Sequence, residues 1–342
     1  MLGLSPDPRT LASLALSWGY LAAAVATAAL MWMFGDRWWP ATALLFMGRW
    51  VLLVPLAILA PAALVLARRA LIPLLLGALV VLGPVMGFRT GWRTLLAQPA
   101  GDSFRVVTFN VGGDGGAGAT VAYLLRTLLV DWAPDVVAFQ ECGQALGRAV
   151  RAIEGWHHYV GVGSCVLSRH PIRESAVMDR TALAQVRRSS GAGGAGFVVR
   201  HTLDTPIGPV DLTTLHLETP RKGFEGLSAG DVELLRANTE IRDIESRLAR
   251  RWVEEGRNRR IVAGDFNTPV ESRIFREHWG DLANAFSRAG RGFGYTKHNG
   301  WIRIRIDHVL AGPEWEVRSA QVGRAVGSDH RPVVADLVPA SR

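Results

Sequence analysis

The stretch RIVAGDFNTP, Arg260–Pro269, decides the fold. A short run of apolar residues from Ile261 ends abruptly at Asp265, and Asn267 follows two residues later. A run of this length and composition is typical of a buried strand. An acid and an amide directly after such a strand form either an Asx-turn or part of a site for metal or phosphate chemistry. The rest of the chain decides between these two interpretations.

Other predicted strands carry polar residues in the same way. FRVVTFNV, VVAFQE, VDLTTLHLET and WIRIRIDHVLAG each combine an apolar run with a polar residue that we place at a strand end. GSDHRPVV, near the end of the chain, sets an acid beside a histidine before an apolar run. Strand ends on one edge of a sheet converge, so we expect one shared site. Its predicted residues are Asn110, Glu141, His216, Asp265, Asn267, Asp307, Asp329 and His330.

The segment after residue 100 has the pattern of a sheet-rich α+β domain. Predicted strands outnumber helices, and several neighbouring strands are close enough in sequence for antiparallel pairing. One amphipathic helix is predicted from Ser228 to Trp252 by its apolar spacing. The glycine-rich stretches lack the strand–GxGxxG–helix context of a dinucleotide site. We therefore predict one domain over residues 101–342.

The first hundred residues have a different composition. Uncharged apolar stretches cover about residues 11–34, 50–67 and 70–88, and a bilayer-spanning helix needs roughly 17–25 residues. A cleaved signal peptide is disfavoured, because the first stretch is too long and two more follow it. A buried bundle in a soluble protein is disfavoured because neighbouring stretches are uncharged all round. We predict a membrane anchor over residues 1–100 with three transmembrane helices.

The net charge of +8 is shared unevenly between these regions. Residues 1–100 hold seven arginines and two aspartates, a balance of +5, and residues 101–342 hold 31 basic and 28 acidic residues, a balance of +3. A domain so close to neutrality lacks the broad basic surface that binds duplex nucleic acid. This balance disfavours a nucleic-acid substrate.

The orientation in the membrane has conflicting signals. With three spans, the N-terminus and the large domain lie on opposite sides of the bilayer. The adjacent Arg68 and Arg69 favour a cytoplasmic N-terminus and an exported domain, whereas the arginine count, four against three, favours the reverse. We expect a multi-pass cell-membrane protein with its large domain outside the cytoplasm. Arg49 leaves open a longer second span that begins near Ala41, with the arginine reaching to the membrane surface.

The two cysteines, Cys142 and Cys165, are too few for a disulfide framework and lack the CxxC spacing of a zinc site. We expect both to be buried as small apolar side chains. Whether they pair is left open by the sequence.

Six motifs occur in a fixed order along the chain, namely TFNV, FQE, LHLET, GDFNTP, RIDHV and GSDHRPV. Together they resemble the motifs of the endonuclease/exonuclease/phosphatase superfamily, as in a membrane-anchored bacterial-type member, over about residues 104–338. The resemblance implies a four-layered α/β sandwich, with two packed, mainly antiparallel sheets flanked by helices. It also implies divalent-metal-dependent cleavage of phosphoester bonds.

The residue types fit such chemistry. Phosphoester hydrolysis needs an activated water, neutralised charge on the phosphoryl oxygens and help for the leaving group. Carboxylate and amide oxygens suit Mg²⁺, so we predict Mg²⁺, with Mn²⁺ as the alternative, on Glu141 with support from Asn110. Asp265 is predicted to orient or deprotonate the attacking water, and Asn267 to donate to a phosphate oxygen.

The other motif residues complete the predicted site. His330 is predicted to contact the phosphoryl group as an acid/base or as a cation. The resemblance implies that Asp307 is the carboxylate that orients it. Asp329 is predicted to bind a metal or order its loop. His216 is predicted to contact phosphate, against the alternative of a core histidine bonded to backbone.

The sequence around His216 indicates the class of substrate. LHLET is more similar to the sphingomyelinase-like and phosphatase-like branches than to the abasic-site nucleases, and the phosphate-binding tyrosine of those nucleases has no obvious counterpart. Arg221 and Lys222 are predicted to bind a second phosphate or a headgroup, unless they form a solvated charge pair.

We therefore expect a membrane-anchored phosphoesterase that cleaves a phosphoester or pyrophosphate bond in a lipid-linked or headgroup substrate. Its partners are the lipid bilayer and that phosphorylated substrate, with no obligate protein partner. A membrane-bound nuclease acting on DNA or RNA is one alternative. An inactive membrane-tethered binding module is the other, and the intact set of acids and histidines disfavours it.

Overall fold

The computed structural model describes residues 7–92, 103–113, 118–161, 163–190 and 196–341. Its contacts define two units, the first comprising Met1–Phe88 with Glu271–Arg273 and the second comprising Arg89–Val270 with Ile274–Arg342. The domain boundary predicted at residues 100 and 101 lies outside the described residues.

The first unit consists of apolar helices, α1 (Pro8–Phe34), α2 (Trp39–Phe46), α3 (Leu56–Leu66) and α4 (Leu71–Val80). Three stretches are long and apolar enough to cross a membrane, namely Pro8–Phe34, Arg49–Leu66 and Arg68–Val85. The prediction of three apolar helices is thereby confirmed. Large apolar side chains such as Ile58 and Val65 are exposed, as expected of surfaces that face lipid.

Arg49 opens a 3₁₀-helix, Arg49–Leu53, that leads into α3. Its guanidinium is buried and donates to the carbonyl oxygens of Leu45 and Val85. The alternative of a longer second span does not fit, because α2 ends at Phe46 and the arginine satisfies its hydrogen bonds inside the unit.

The second unit is built on two six-stranded sheets. Its helices are α5 (Gly118–Arg126), α6 (Gln144–Arg151), α7 (Thr181–Ser190), α8 (Arg221–Ser228), α9 (Val232–Glu254), α10 (Arg273–Trp279) and α11 (Ala285–Ala289). Its strands are β1 (Arg89–Thr90), β2 (Phe104–Asn110), β3 (Val136–Cys142), β4 (His157–Val160), β5 (Gly163–Ser168), β6 (Ile172–Val177), β7 (Phe197–Thr205), β8 (Gly208–His216), β9 (Arg259–Asp265), β10 (Ala283–Asn284), β11 (Arg291–Gly292), β12 (Lys297–Asn299), β13 (Ile302–Ile304), β14 (Asp307–Ala311), β15 (Trp315–Val322) and β16 (Val333–Pro339).

The strand orders are β15-β16-β2-β3-β5-β4 and β10-β14-β9-β8-β7-β6. Each sheet contains one parallel pair, β2 with β3 and β8 with β9, and its other pairs are antiparallel. Parallel neighbours need a crossover connection. Helix α5 lies in the connection from β2 to β3, and α8 and α9 lie in the connection from β8 to β9.

Alternation along the central strands produces the layers. In β2, Val106 packs into the core shared by the two sheets, and its neighbour Val107 packs on the opposite face with α5 and α6. In β9, Ile261 faces the shared core and Val262 packs on the face covered by α9 and α10. Successive strand residues point to opposite faces. A helix–sheet–sheet–helix order follows, which confirms the predicted four-layered sandwich.

One histidine of this domain is buried without a carboxylate among its hydrogen-bond partners. Nδ1 of His201 lies 2.8 Å from the Ser175 hydroxyl, and Nε2 lies 3.4 Å from that of Thr214. Burial lowers the pKa of His201 from 6.5 to about 3. The histidine is therefore neutral in the folded protein at every pH above that value.

This burial predicts an acid-sensitive fold. Above pH 6.5, His201 is unprotonated in both the folded and the unfolded chain. Between pH 6.5 and about 3, it binds a proton in the unfolded chain but not in the folded chain. His201 should by itself lower the free energy of unfolding by about 1.4 kcal/mol for each pH unit across this window. Denaturant unfolding of His201→Gln should show a shallower pH dependence than the wild type. The exposed His158→Gln serves as control, and equal slopes in all three proteins would contradict the assignment.

Candidate active site

Strand pairing brings three of the predicted residues together at the same end of neighbouring strands in one sheet. His216 ends β8 and is in register with Asp265, which ends β9. Because β14 runs antiparallel to β9, its first residue, Asp307, also lies opposite Asp265. The expectation that Asp307 ends a strand is wrong, since it begins one. Gly264 permits the close approach of β8 and β9, because a Cβ there would lie 1.9 Å from the carbonyl oxygen of Leu215.

Glu141 reaches the site through a β-bulge. The pairing of β3 with β5 skips Glu141, while the residues on either side of it keep partners. Its φ of 54° lies in the left-handed region, which is unfavourable for a side chain of this kind. Bulges re-aim a side chain and are common beside active sites. Here the bulge directs Glu141 toward Asn110 and His216.

A disulfide joins Cys142, directly after the bulge, to Cys165 on the neighbouring strand β5. Both cysteines are buried, as predicted, but they are bonded to each other rather than packed as separate apolar side chains. The disulfide ties the end of β3 to β5 and thereby restrains the backbone that carries Glu141.

Asn110 links the carboxylates of the two sheets. Its Nδ2 donates to Glu141 Oε1 and to Asp265 Oδ2, both at 3.0 Å. Its Oδ1 accepts the backbone N–H of Gly112 at 3.0 Å. With the oxygen turned to Gly112, Asn110 positions the carboxylates. Because an amide oxygen has two lone pairs, the hydrogen bond from Gly112 leaves the predicted support of the metal by Asn110 as a prediction.

His330 and Asp307 form a buried hydrogen-bonded pair. Nδ1 of His330 lies 2.9 and 3.1 Å from the carboxylate oxygens of Asp307 and therefore donates to them. Asp307 is itself held by its backbone N–H, which donates to Thr296 Oγ1 at 3.1 Å. Nε2 of His330 lies 3.8 Å from Asp265 Oδ2. The imidazole is thus oriented between two carboxylates.

This arrangement favours a charged imidazole. Burial disfavours the charge, but the carboxylates of Asp307 and Asp265 outweigh it and raise the pKa of His330 to about 9. Burial raises the pKa of Asp265, and the negative charge of Asp307, the second-largest cause, raises it further. At neutral pH, His330 is therefore a cation beside a carboxylate with a high affinity for protons.

His216 and Asn267 lie next to this pair. Nε2 of His216 is 3.8 Å from Glu141 Oε1 and 3.7 Å from Asp265 Oδ2, so its ring faces the carboxylates rather than backbone. Asn267, at a φ of 48°, donates its backbone N–H to Asp265 Oδ1 at 2.8 Å. Its Nδ2 donates to the Leu217 carbonyl at 2.9 Å, which leaves a second N–H for a phosphate oxygen.

Asp329 lies at the solvent edge of the site. Its side chain is 52% exposed, and Oδ1 is 3.9 Å from Nε2 of His330. It forms an ion pair with Lys297, a residue that no sequence motif indicated. Lys297 and His330 form an isolated β-bridge, and such a contact between distant residues leaves no local signal in the sequence. Ser328 was also missed, although GSDH contains it; its hydroxyl accepts from the His330 N–H at 3.0 Å.

Arg221 and Lys222 are placed differently from the other predicted residues. They begin α8 with exposed side chains, and Arg221 donates its backbone N–H to Thr219 Oγ1 at 3.3 Å. Within the described part of the chain, no contact joins either side chain to the acids and histidines of the site. Their role in headgroup binding stays a prediction.

Among the residues that the structure describes, two groups of ligand atoms suit a divalent cation. Asp265, Asp307 and His330 place one atom each within 4.8 Å of one another, but His330 and Asp307 are already bonded together. The second group consists of Glu141 and Asp265. Both accept a hydrogen bond from Asn110, and both offer carboxylate oxygens as metal ligands. Glu141 is 39% exposed, so a hydrated ion can reach it. Mg²⁺ prefers oxygen ligands and retains several waters, which fits the second group better.

The sequence model of the endonuclease/exonuclease/phosphatase family matches residues 107–330, a span that includes every residue of this site. The chain belongs to the endonuclease/exonuclease/phosphatase family. Members are metal-dependent hydrolases of phosphoester bonds, and the protein is accordingly a hydrolase of this class. Among curated proteins, none matches the chain.

Solved structures of the family share the fold. D. rerio TDP2 complexed with a single-strand DNA product has 16% identity and a TM-score of 0.55, over 70% of this chain and 100% of that one. The mannosyl-6-phosphatase of Bacteroides thetaiotaomicron has 17% identity and a TM-score of 0.53, over 69% and 100%. The human Nocturnin catalytic domain has 16% identity and a TM-score of 0.51, over 74% and 100%. Identities this low establish the fold alone.

Proposed function

We propose that the protein is a membrane-anchored, Mg²⁺-dependent phosphoesterase that hydrolyses a phosphoester or pyrophosphate bond in a lipid-linked or headgroup substrate. The observation that carries the proposal is the convergence of Glu141, Asp265 and the His330–Asp307 pair in one site. The same chain carries three helices able to cross a bilayer. Attachment to the bilayer raises the effective concentration of a lipid-linked substrate at the site.

Glu141 would hold the metal, with Asp265 beside it. Bound Mg²⁺ would polarise a phosphoryl oxygen as a Lewis acid. Asp265, which is buried and has a raised pKa, accepts a proton from the attacking water. Asn110 fixes the spacing of the two carboxylates through its hydrogen bonds to both.

His330 and His216 would donate hydrogen bonds to the phosphoryl group. Asp307 holds Nδ1 of His330, so that Nε2 is free to donate to a phosphoryl or leaving-group oxygen. Nε2 of His216 lies 3.7 Å from Asp265 Oδ2, the same oxygen that Nε2 of His330 approaches at 3.8 Å. The remaining N–H of Asn267 supplies a further donor at the same edge. Together these donors balance the negative charge that grows during hydrolysis.

We also propose that the catalytic domain lies outside the cytoplasm. The disulfide between Cys142 and Cys165 supports this side, because disulfides persist in oxidising compartments and are rare in the cytosol. The adjacent Arg68 and Arg69 support the same orientation, since positive residues favour the cytoplasmic side.

The orientation predicts the behaviour of C-terminal fusions. Alkaline phosphatase fused after Arg342 should be active in bacterial cells, and green fluorescent protein at the same position should be dark. Alkylation of denatured protein should label Cys142 and Cys165 only after reduction. A fluorescent fusion together with freely alkylated cysteines would place the domain in the cytoplasm.

The substrate class is tested with the full chain in detergent micelles. An isoprenoid pyrophosphate, a phospholipid, a chromogenic phosphodiester and single-stranded DNA are offered with Mg²⁺, and Glu141→Gln is run in parallel. We expect hydrolysis of a lipid substrate that the variant lacks. If every substrate stays intact, the proposal fails.

A nuclease is the second candidate. It is favoured by one observation, that the structurally similar D. rerio TDP2 is complexed with a single-strand DNA product. Cleavage of DNA with no turnover of either lipid would establish this candidate over the first.

A further inference from the structure

An open cleft of about 470 Å³ lies in the catalytic domain, outside the site already described. Its lining includes the three arginines Arg291, Arg303 and Arg331, together with Phe293, Tyr295 and His298. None of the predicted catalytic or metal-binding residues lines it. The rings of Phe293 and Tyr295 are stacked, with centroids 5.2 Å apart, and form one apolar wall.

The charge of this cleft is unbalanced. No aspartate or glutamate lines it. Within the described ranges, no ion pair or side-chain hydrogen bond engages Arg291, Arg303 or Arg331. Elsewhere in the domain, arginines are commonly bonded to carboxylates, as in the pairs Arg105–Asp336 and Arg324–Asp131.

The guanidinium groups of Arg303 and Arg331 line the cleft together with His298. Cations gathered in a concave surface repel one another and attract anions. The planar guanidinium matches the geometry of phosphate oxygens, which makes phosphate the best-fitting anion.

The backbone of the cleft is bonded to the backbone of the active site. Arg331 follows His330, and its N–H donates to the Thr296 carbonyl at 2.7 Å. The N–H of His298 donates to the Asp329 carbonyl at 2.8 Å. The hydrogen-bonded segments 296–298 and 329–331 therefore each contain residues of both the cleft and the active site. The cleft borders the site.

We propose that this arginine cleft binds a second phosphate-bearing group of the substrate, separate from the phosphate that is hydrolysed. The assignment of this group to the substrate rests on the proposed function. The cleft itself binds phosphate whether or not hydrolysis occurs. The phosphate belongs either to a free diphosphate or to a lipid headgroup, and both present the same chemistry to the arginines.

The test measures binding without catalysis. Full-length protein in detergent micelles, with EDTA to remove metal, is titrated calorimetrically with inorganic pyrophosphate and with dihexanoyl phosphatidic acid. We expect Arg303→Gln and Arg331→Gln each to weaken the binding of at least one probe about tenfold. The probe with the larger loss identifies the source of the phosphate. Arg303→Lys, which keeps the charge but loses the planar fork, should lie between wild type and Arg303→Gln.

The control is Arg318→Gln, a half-exposed arginine outside the cleft, which should bind within about twofold of wild type. Unchanged binding in both cleft variants, or an equal loss in Arg318→Gln, would overturn the proposal. Circular dichroism of each variant separates a lost site from a lost fold. Glu141→Gln should bind both probes normally. Absent hydrolysis with intact cleft binding would therefore refute the proposed function alone.

Discussion

Replacement of Asp265 by asparagine is expected to lower the rate of Mg²⁺-dependent hydrolysis by about 10²–10⁴-fold, the range for a lost general base. The side chain changes by one atom and keeps its size, so the hydrogen bond from the Asn267 N–H to Oδ1 can persist. The change removes the carboxylate that lies within 4 Å of both His216 and His330. The rate is measured at saturating metal and substrate.

The matched control for this change is Asp243→Asn. Asp243 is a partly buried aspartate of the same domain whose Oδ1 lies 3.0 Å from Nε2 of His278. It should retain activity within about threefold of wild type. Thermal unfolding of both variants excludes a loss of fold as the cause. Equal activity in Asp265→Asn and wild type would remove Asp265 from the mechanism.

Replacement of Glu141 by glutamine is expected to act through metal affinity. Loss of an outer partner of a metal site costs about 10–100-fold in affinity, so loss of the principal ligand should raise the Kd for Mg²⁺ by more than about 100-fold. The amide retains one oxygen for the Nδ2 of Asn110, which limits disturbance of the fold. Isothermal titration with Mg²⁺ measures the effect without substrate.

Glu316→Gln is the control for this second prediction. Glu316 is half-exposed on β15, where it approaches Arg318 at 3.8 Å. Its Kd for Mg²⁺ should equal that of the wild type. If Glu141→Gln binds Mg²⁺ as tightly as this control while remaining inactive, the metal lies elsewhere and Glu141 has another role.

The parts of the fold that follow from local pattern could be predicted from the sequence. The apolar runs ending at Asn110 and Asp265 become central strands, because consecutive residues alternate between two buried faces. The uncharged stretches become helices because their length and composition allow little else. The sequence predicts convergence of the strand ends at one edge of a single sheet, whereas the site combines Asn110 and Glu141 from one sheet with Asp265 from the other.

The features that depend on contacts between distant residues could not be predicted in this way. The ion pair of Lys297 with Asp329 depends on a bridge between segments more than thirty residues apart. The pairing of Cys142 with Cys165 depends on the register of β3 and β5, and that register contains a bulge. Arg221 follows a site motif directly, yet α8 begins there and leaves its side chain exposed.

We propose that Glu141 holds the metal, with Asp265 beside it as the base. Anomalous diffraction from crystals of the full chain grown with Mn²⁺, which also prefers oxygen ligands, tests it most directly. We expect an anomalous peak bonded to the Glu141 carboxylate, and no peak there in Glu141→Gln. A peak held only by Asp307 and His330, with Glu141 unbound, would contradict it.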